Sequence, residues 1–325
     1  MVFENQMPML KQLTFVGLLV VLLITCQQYS NNALTIEYNK TFDSIPSGSG
    51  LVIRGDSAYV VCDDGTGIYQ INLRNFQQNK IPIKGLSFDQ YREPKPVKHD
   101  FESACLVKWQ ATEYLMAVGS GSNSTSRDSL LLLNISDHDD QRIISLAAFY
   151  EQLRLRTHTD TTQWNIEGLT AAGNKIIMAN RGNNLLITCE VANFFSWLIK
   201  PNSSFPQIKY LRLHLPSIDK HEARLSGLCT LTDTDLLLCA SVEDTPDWTK
   251  DGPVLGSYFA FYSLRDGKIG ATYLFRNAQG KRLKEKIESI DILQKTSDGN
   301  LHFLAMGEND NGSSELFSIR LYRGH

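Results

Sequence analysis

A short pattern recurs five times along this chain, at intervals of about 60 residues, and a repeat of that length fixes the fold before any other reading. Ser49-Gly50-Leu51, Glu102-Ser103-Ala104, Glu167-Gly168-Leu169, Ser226-Gly227-Leu228 and Glu288-Ser289-Ile290 form a first column. A second column aligns Val60-Val61-Cys62-Asp63, Met116-Ala117-Val118-Gly119, Ile177-Met178-Ala179-Asn180, Leu238-Cys239-Ala240-Ser241 and Leu304-Ala305-Met306-Gly307. Each is a short apolar run entered or left by polar residues, and such runs separated by turn residues read as antiparallel strands. Asp63-Asp64-Gly65-Thr66-Gly67 is one of those turns.

Each of the first four units holds four strands, for example near residues 168–172, 175–179, 185–191 and 208–213 in the third. The fifth supplies three, near 289–293, 301–306 and 315–322. Residues 34–39 are the donor of the missing strand, which predicts an all-β, five-bladed propeller of four-stranded blades closed by the N-terminal strand. A solenoid leaves the incomplete last unit unexplained, and two separate β domains conflict with the even spacing. The length beyond a compact blade goes into linkers at 87–100, 150–164, 193–207 and 216–224, with a helical turn expected near 149–156.

Residues 13–25 are apolar or small, follow Lys11 and end at Cys26. The run is short for a membrane span, which needs about 20 residues, and fits a signal-peptide core. Leu23-Ile24-Thr25-Cys26 resembles the lipobox of bacterial lipoproteins, with Thr25 where that group prefers Gly, Ala or Ser. The resemblance implies lipidation at Cys26, the membrane as a partner, and a location facing the periplasm or the cell surface. An ordinary signal peptide cut nearby and an uncleaved anchor are the alternatives. The organisation expected is a signal peptide over 1–26, a polar tether over 27–33 and a single propeller domain over 34–325. Five sequons (Asn39, Asn123, Asn134, Asn202 and Asn311) matter only in a eukaryotic secretory route.

With 325 residues and 42% hydrophobic content the body can bury a large core, and a net charge of -3 gives no reason to expect nucleic acid as a partner. Lys281, Arg282, Lys284 and Lys286 cluster, but Glu285 and Glu288 interrupt them, which reads as a solvated loop. Besides Cys26, the cysteines Cys62, Cys105, Cys189, Cys229 and Cys239 lie in apolar runs without CxxC spacing. Buried free thiols are the default, and a Cys229–Cys239 disulfide between neighbouring strands is the alternative.

In a propeller the first strand of each blade is innermost, so the first column surrounds one mouth of the central channel. Glu102, Glu167 and Glu288 converge there, with Ser49 and Ser226 completing the ring. Converging carboxylates repel one another until protonation, a basic partner or a cation relieves them. Calcium, which takes oxygen ligands, suits such a ring, with Glu102, Glu167 and Glu288 as ligands and Asp63, Asn180, Glu308 and Asn309 as further oxygen donors. Arg181, Lys98 or His99 can instead pair the glutamates. A purely structural role, with the column satisfying backbone groups of neighbouring blades, weighs equally. His158 and His221 read as loop residues. No HExxH, GxSxG or phosphate-loop motif is present, Gly119-Ser120-Gly121-Ser122-Asn123 lacking a following lysine and helix, so no catalytic residue is assigned.

Asn165-Ile166-Glu167-Gly168-Leu169, Ala179-Asn180-Arg181-Gly182 and Lys98-His99-Asp100-Phe101-Glu102 together resemble an exported bacterial propeller family of unknown function, over most of the mature chain. More distantly they resemble the esterase-like phytase and gluconolactonase/strictosidine-synthase-like propellers. In the gluconolactonase group a Glu-Gly pair opening an inner strand supplies a metal ligand, which corresponds here to Glu167. Glu102 and Glu288 are followed by Ser, and that group has six blades. Two functions are therefore expected. One is a binding module whose channel mouth (Glu102, Glu167, Glu288, Asn180, Arg181 and His99) holds a small molecule, glycan or envelope protein. The other is a divalent-metal hydrolase, calcium-dependent, acting on an ester, lactone or phosphoester.

Overall fold

The computed structural model describes residues 34–86, 91–122, 125–201, 203–245, 252–308 and 312–322. The signal segment, the tether, Cys26, Asn123, Asn202, Asn309 and Asn311 lie outside them. Five four-stranded antiparallel sheets follow one another along the chain. Blade 1 is β2 (Gly48–Arg54), β3 (Ser57–Cys62), β4 (Gly67–Asn72) and β5 (Gln78–Pro82). Blade 2 is β6 (Phe101–Trp109), β7 (Thr112–Gly119), β8 (Ser129–Asn134) and β9 (Gln141–Ser145). Blade 3 is β10 (Ile166–Ala172), β11 (Lys175–Asn180), β12 (Leu185–Glu190) and β13 (Ile208–Arg212). A small hairpin, β14 (Ser217–Ile218) and β15 (His221–Glu222), leads into blade 4, which is β16 (Arg224–Thr232), β17 (Asp235–Glu243), β18 (Val254–Ser263) and β19 (Lys268–Leu274). Blade 5 is β20 (Lys286–Lys295), β21 (Leu301–Glu308) and β22 (Ser314–Leu321), completed on its outer edge by β1 (Leu34–Phe42).

β1 runs antiparallel to β22 from Leu34 opposite Leu321 to Phe42 opposite Ser314, so the closure is longer than the six residues read from the sequence. Around the axis β2 packs on β6, β6 on β10, β10 on β16, β16 on β20, and β20 back on β2. The ring therefore has five blades and closes on itself. Its core is divided among the five blade–blade interfaces, each with its own buried apolar cluster. The cluster between blades 2 and 3 is enlarged by two helices, α1 (Ala147–Thr157) and α2 (Val191–Ile199). α1 extends the helical turn expected near 149–156. α2 starts the segment read as a plain linker and buries Phe194, Phe195 and Trp197. The five described cysteines are buried and free. Cys229 faces Leu237 and Cys239 faces Gly227, so the two thiols are diagonal neighbours. Diagonal positions are roughly 7–8 Å apart, beyond comfortable disulfide reach. Among the described residues no helix is long and apolar enough to cross a membrane.

Candidate functional site at the mouth of the channel

The first column has a local structural cause. In every inner strand the pairing with the second strand slips by one residue at the column position: Ser49, Glu102, Glu167, Ser226 and Glu288 are each skipped in the register. A β-bulge leaves its extra residue out of the ladder and re-aims its side chain, here at the same level in all five blades. The next position is always small (Gly50, Ser103, Gly168, Gly227 and Ser289) because adjacent inner strands approach closely there. A Cβ on Gly50 would lie 2.8 Å from the Ala104 backbone nitrogen, and one on Gly227 2.8 Å from the Glu288 carbonyl oxygen. The Glu-Gly and Glu-Ser pairs thus have a packing reason of their own.

The bulges open onto a polar cavity of about 250 Å³, whose lining includes Ser49, Glu102, Glu167 and Glu288. The linkers and strand exits around it add Asp63, Asp100, Glu243 and Glu308 as carboxylates and Lys95, Lys98, Arg127, Arg181 and Lys286 as cations. Among the described residues no aromatic side chain lines it. A larger cavity, about 680 Å³, is a groove between the outer parts of blades 3 and 4, past Tyr210, Leu211 and Tyr262, and no column residue lines it.

Two ion-pair systems occupy the mouth. On the blade 3 to blade 5 side, Arg181 Nη1 lies 3.0 Å from Glu167 Oε2 and donates to Ser241 Oγ at 3.0 Å, while its Nη2 lies 3.2 Å from Glu243 Oε1. Lys286 Nζ joins them, 2.9 Å from Glu288 Oε1 and 3.5 Å from Glu243 Oε1. Asn165 Nδ2 donates to Glu167 Oε1 at 2.6 Å. On the blade 1 to blade 2 side, Lys98 Nζ sits 2.5 Å from both Asp63 Oδ2 and Asp100 Oδ1. Arg127 Nη1 lies 3.2 Å from Asp100 Oδ2 and donates to Ser122 Oγ at 2.9 Å. Asp100 reaches this place because its backbone is in the left-handed region, φ 57°, which aspartate tolerates better than most residues.

Glu102 stands between these systems and has neither an ion pair nor a hydrogen bond among the described residues. Burial raises its carboxyl well above the usual range, and repulsion from Asp100, Asp63 and Glu167 adds to this against the pull of Lys98. Burial also pushes Glu167 to about 7, with Arg181 opposing and Glu288 reinforcing the rise. Glu308 likewise moves to about 7, chiefly by burial and then by Glu288; the Ser47 hydroxyl lies beside it, and it has no ion pair among the described residues. Burial disfavours the Lys98 ammonium, but Asp100, Asp63 and Glu102 outweigh it and keep the group charged.

The structure places Glu102, Glu167, Glu288 and Arg181 around one cavity and the other two expected site residues, Asn180 and His99, outside its lining. Asn180 is 0% exposed and builds the turn, accepting from Asn165 N at 2.6 Å and donating to Gln163 O at 2.8 Å and Asn183 Oδ1 at 2.6 Å. His99 turns its Nδ1 to Glu93 Oε1 at 2.8 Å and stacks on Phe101, outside the cavity lining. Lys286, read as part of a solvated loop, opens β20 and points inward. Lys286, Asp100 and Asn165 are each two residues before a column residue, and this upstream column (Ser47, Asp100, Asn165, Arg224, Lys286) is polar throughout. That signal was available in the sequence and identifies the residues that the first column alone misses.

As a metal centre, the three column glutamates do not act together. Glu167 is committed to Arg181 and Glu288 to Lys286. The one acidic group compact enough for an ion, among the described residues, is Asp63, Asp100 and Glu102, with oxygens within 4.8 Å of one another. The Lys98 ammonium already bridges Asp63 and Asp100 in that group.

A model of a family of unknown function, DUF6929, matches residues 44–321. The chain belongs to the DUF6929 family. No curated protein matches its sequence. Similar solved structures include glutaminyl cyclase from Myxococcus xanthus, with 10% identity and a TM-score of 0.49 over 90% of this chain and 97% of that one. A putative exported protein from Bacteroides fragilis shows 12% identity and a TM-score of 0.41 over 90% and 97%. Hydrazine synthase from Kuenenia stuttgartiensis shows 9% identity and a TM-score of 0.38 over 82% of this chain, which spans 57% of that one. At these identities and scores the likenesses carry no argument about activity.

Proposed function

We propose that this member of the DUF6929 family is an exported binding module of the cell envelope, held to the membrane through a lipid on Cys26, and that it takes a small polar ligand in the mouth of its channel. One observation carries the binding reading. The mouth holds a polar cavity in which Glu102 and Glu308 have no ion pair among the described residues, while Lys98, Arg127, Arg181 and Lys286 each hold a carboxylate. Polar groups withdrawn from solvent are normally partnered, so the half-buried Glu102 carboxyl, facing the cavity with neither an ion pair nor a hydrogen bond among the described residues, favours a ligand. The lipobox-like Leu23-Ile24-Thr25-Cys26 supports the anchor.

The test of the binding reading is a calorimetric screen of the purified full chain against small polar molecules, repeated with Glu102→Gln. A ligand whose heat of binding is lost in that variant supports the mouth; a ligand bound equally well by the variant overturns it. For the anchor, Cys26→Ala should move the protein from the membrane to the soluble fraction, whereas retention would indicate an uncleaved N-terminal anchor. The oxygens of Asp63, Asp100 and Glu102 support a second reading, a divalent-metal hydrolase in which the ion would lower the pKa of a bound water. Turnover of esters or phosphoesters that needs calcium or magnesium and falls in Glu102→Gln would establish it.

A further inference from the structure

We infer that the ligand of the mouth is a small organic cation bearing N–H donors, an amine or guanidine, anchored by the Glu102 carboxylate; this rests on the mouth being a binding site. The choice follows from what the cavity has left to offer. An anion would need free cations, but Lys98, Arg127, Arg181 and Lys286 each already hold a carboxylate at hydrogen-bond distance. Lys95, the remaining lining cation, is exposed at the rim. A calcium ion needs six to eight oxygens, and two of the three clustered carboxylates are spent on the Lys98 ammonium, 2.5 Å from each. A quaternary ammonium is bound by aromatic faces, and among the described residues the lining has none. An ammonium or guanidinium needs a few oxygen acceptors, which Glu102 and the neighbouring Ser49 and Glu308 supply around the same cavity. The volume of about 250 Å³ limits the guest to a small molecule.

Asp63 comes from blade 1, Lys98 and Asp100 from the linker into β6, and Glu167 from blade 3, so three of the four charged groups facing Glu102 are carboxyls and favour a cationic guest.

The experiment is titration calorimetry of the purified full chain with ethanolamine, putrescine, agmatine and L-lysine, and with choline and calcium chloride as contrasts. The inference expects at least one N–H cation to bind at pH 7. It expects choline and calcium to bind at least about tenfold more weakly, and Glu102→Gln to lose about tenfold or more, the usual scale for removing a charged partner. Asp291→Asn, at the other end of the channel, should bind like the parent, and the melting temperature of each variant checks its fold. Calcium binding lost in Glu102→Gln would overturn the organic cation while keeping the mouth as the site. Binding of an amine that is unchanged in Glu102→Gln would overturn both. Failure of every amine and guanidine to bind would overturn the cation, and the wider screen would then decide the mouth.

Discussion

The same five inner strands build both ends of the central channel, and the two ends treat polar groups in opposite ways. The inner strands carry on from the mouth into a second cavity of about 180 Å³, lined mainly by apolar residues such as Val52, Leu106, Ala171 and Leu228. Its polar groups are settled within the fold. Asp291 accepts from Ile53 N at 2.6 Å and Ile292 N at 2.8 Å, tying blade 5 to blade 1. Thr170 and Thr230 share a hydrogen bond at 2.9 Å, and Thr230 also donates to Ala171 O at 2.9 Å. At the mouth, Glu102 has no such partner. A carboxylate that accepts two backbone N–H groups has a structural task, whereas one held among other carboxylates beside open space does not. The contrast separates packing from function more sharply than a count of acidic residues would.

The largest effect should come from removing what both ends depend on. Deleting residues 34–42 strips β1 from blade 5 and leaves the edge of β22 unpaired, so the whole ring should lose its cooperative melting transition. A protein that melts as a unit without β1 would show that the closure is dispensable. At the mouth, Arg181→Met leaves Glu167 and Glu243 facing each other without their guanidinium, and breaking a buried pair in this way costs about 3–5 kcal/mol in urea unfolding. At the far end, Asp291→Ala strands two backbone donors and should cost about 1–3 kcal/mol.

A pH series sharpens the comparison further. The folded-state pKa values of Asp291, about 6, and of Glu308, about 7, lie above their ordinary 3.8 and 4.5, raised by burial in both cases. The folded state then holds protons that the unfolded state has released. Their contribution is fully present below the unfolded pKa and is lost as pH rises through the folded one, so stability should fall between about pH 4 and 7. Asp291→Asn should flatten the lower part of that fall and Glu308→Gln the upper part, read as unfolding free energy across pH. An unchanged slope in either variant would show that the group does not titrate as its surroundings imply.

Much of this was legible in the sequence because a repeat constrains many residues at once. Five copies of a two-strand pattern and one missing strand led to the blade count, and to the pairing of residues 34–39 with the last strand, which the structure extends to Phe42. The convergence of Glu102, Glu167 and Glu288 was legible for the same reason. Individual roles were not, because they depend on contacts between blades. Glu167 is answered by Arg181 fourteen residues later, but Arg181 also reaches Glu243 of blade 4, and Lys286 of blade 5 bridges Glu243 and Glu288. Asn180 looks like a site residue and is spent on a turn, since polar residues at strand exits serve both purposes. α2 was missed because its apolar run, Val191-Ala192-Asn193-Phe194-Phe195, extends a strand without a break in character.

The central claim, that Glu102 is kept for a ligand rather than for the fold, is tested most directly by urea unfolding of Glu102→Gln beside Asp291→Ala at pH 7. The account predicts that Glu102→Gln is as stable as the parent or more so, because an unpartnered carboxyl among other carboxylates is removed, while Asp291→Ala is weakened by about 1–3 kcal/mol. A loss in Glu102→Gln as large as that in Asp291→Ala would contradict it and make Glu102 a structural residue like its counterpart at the far end.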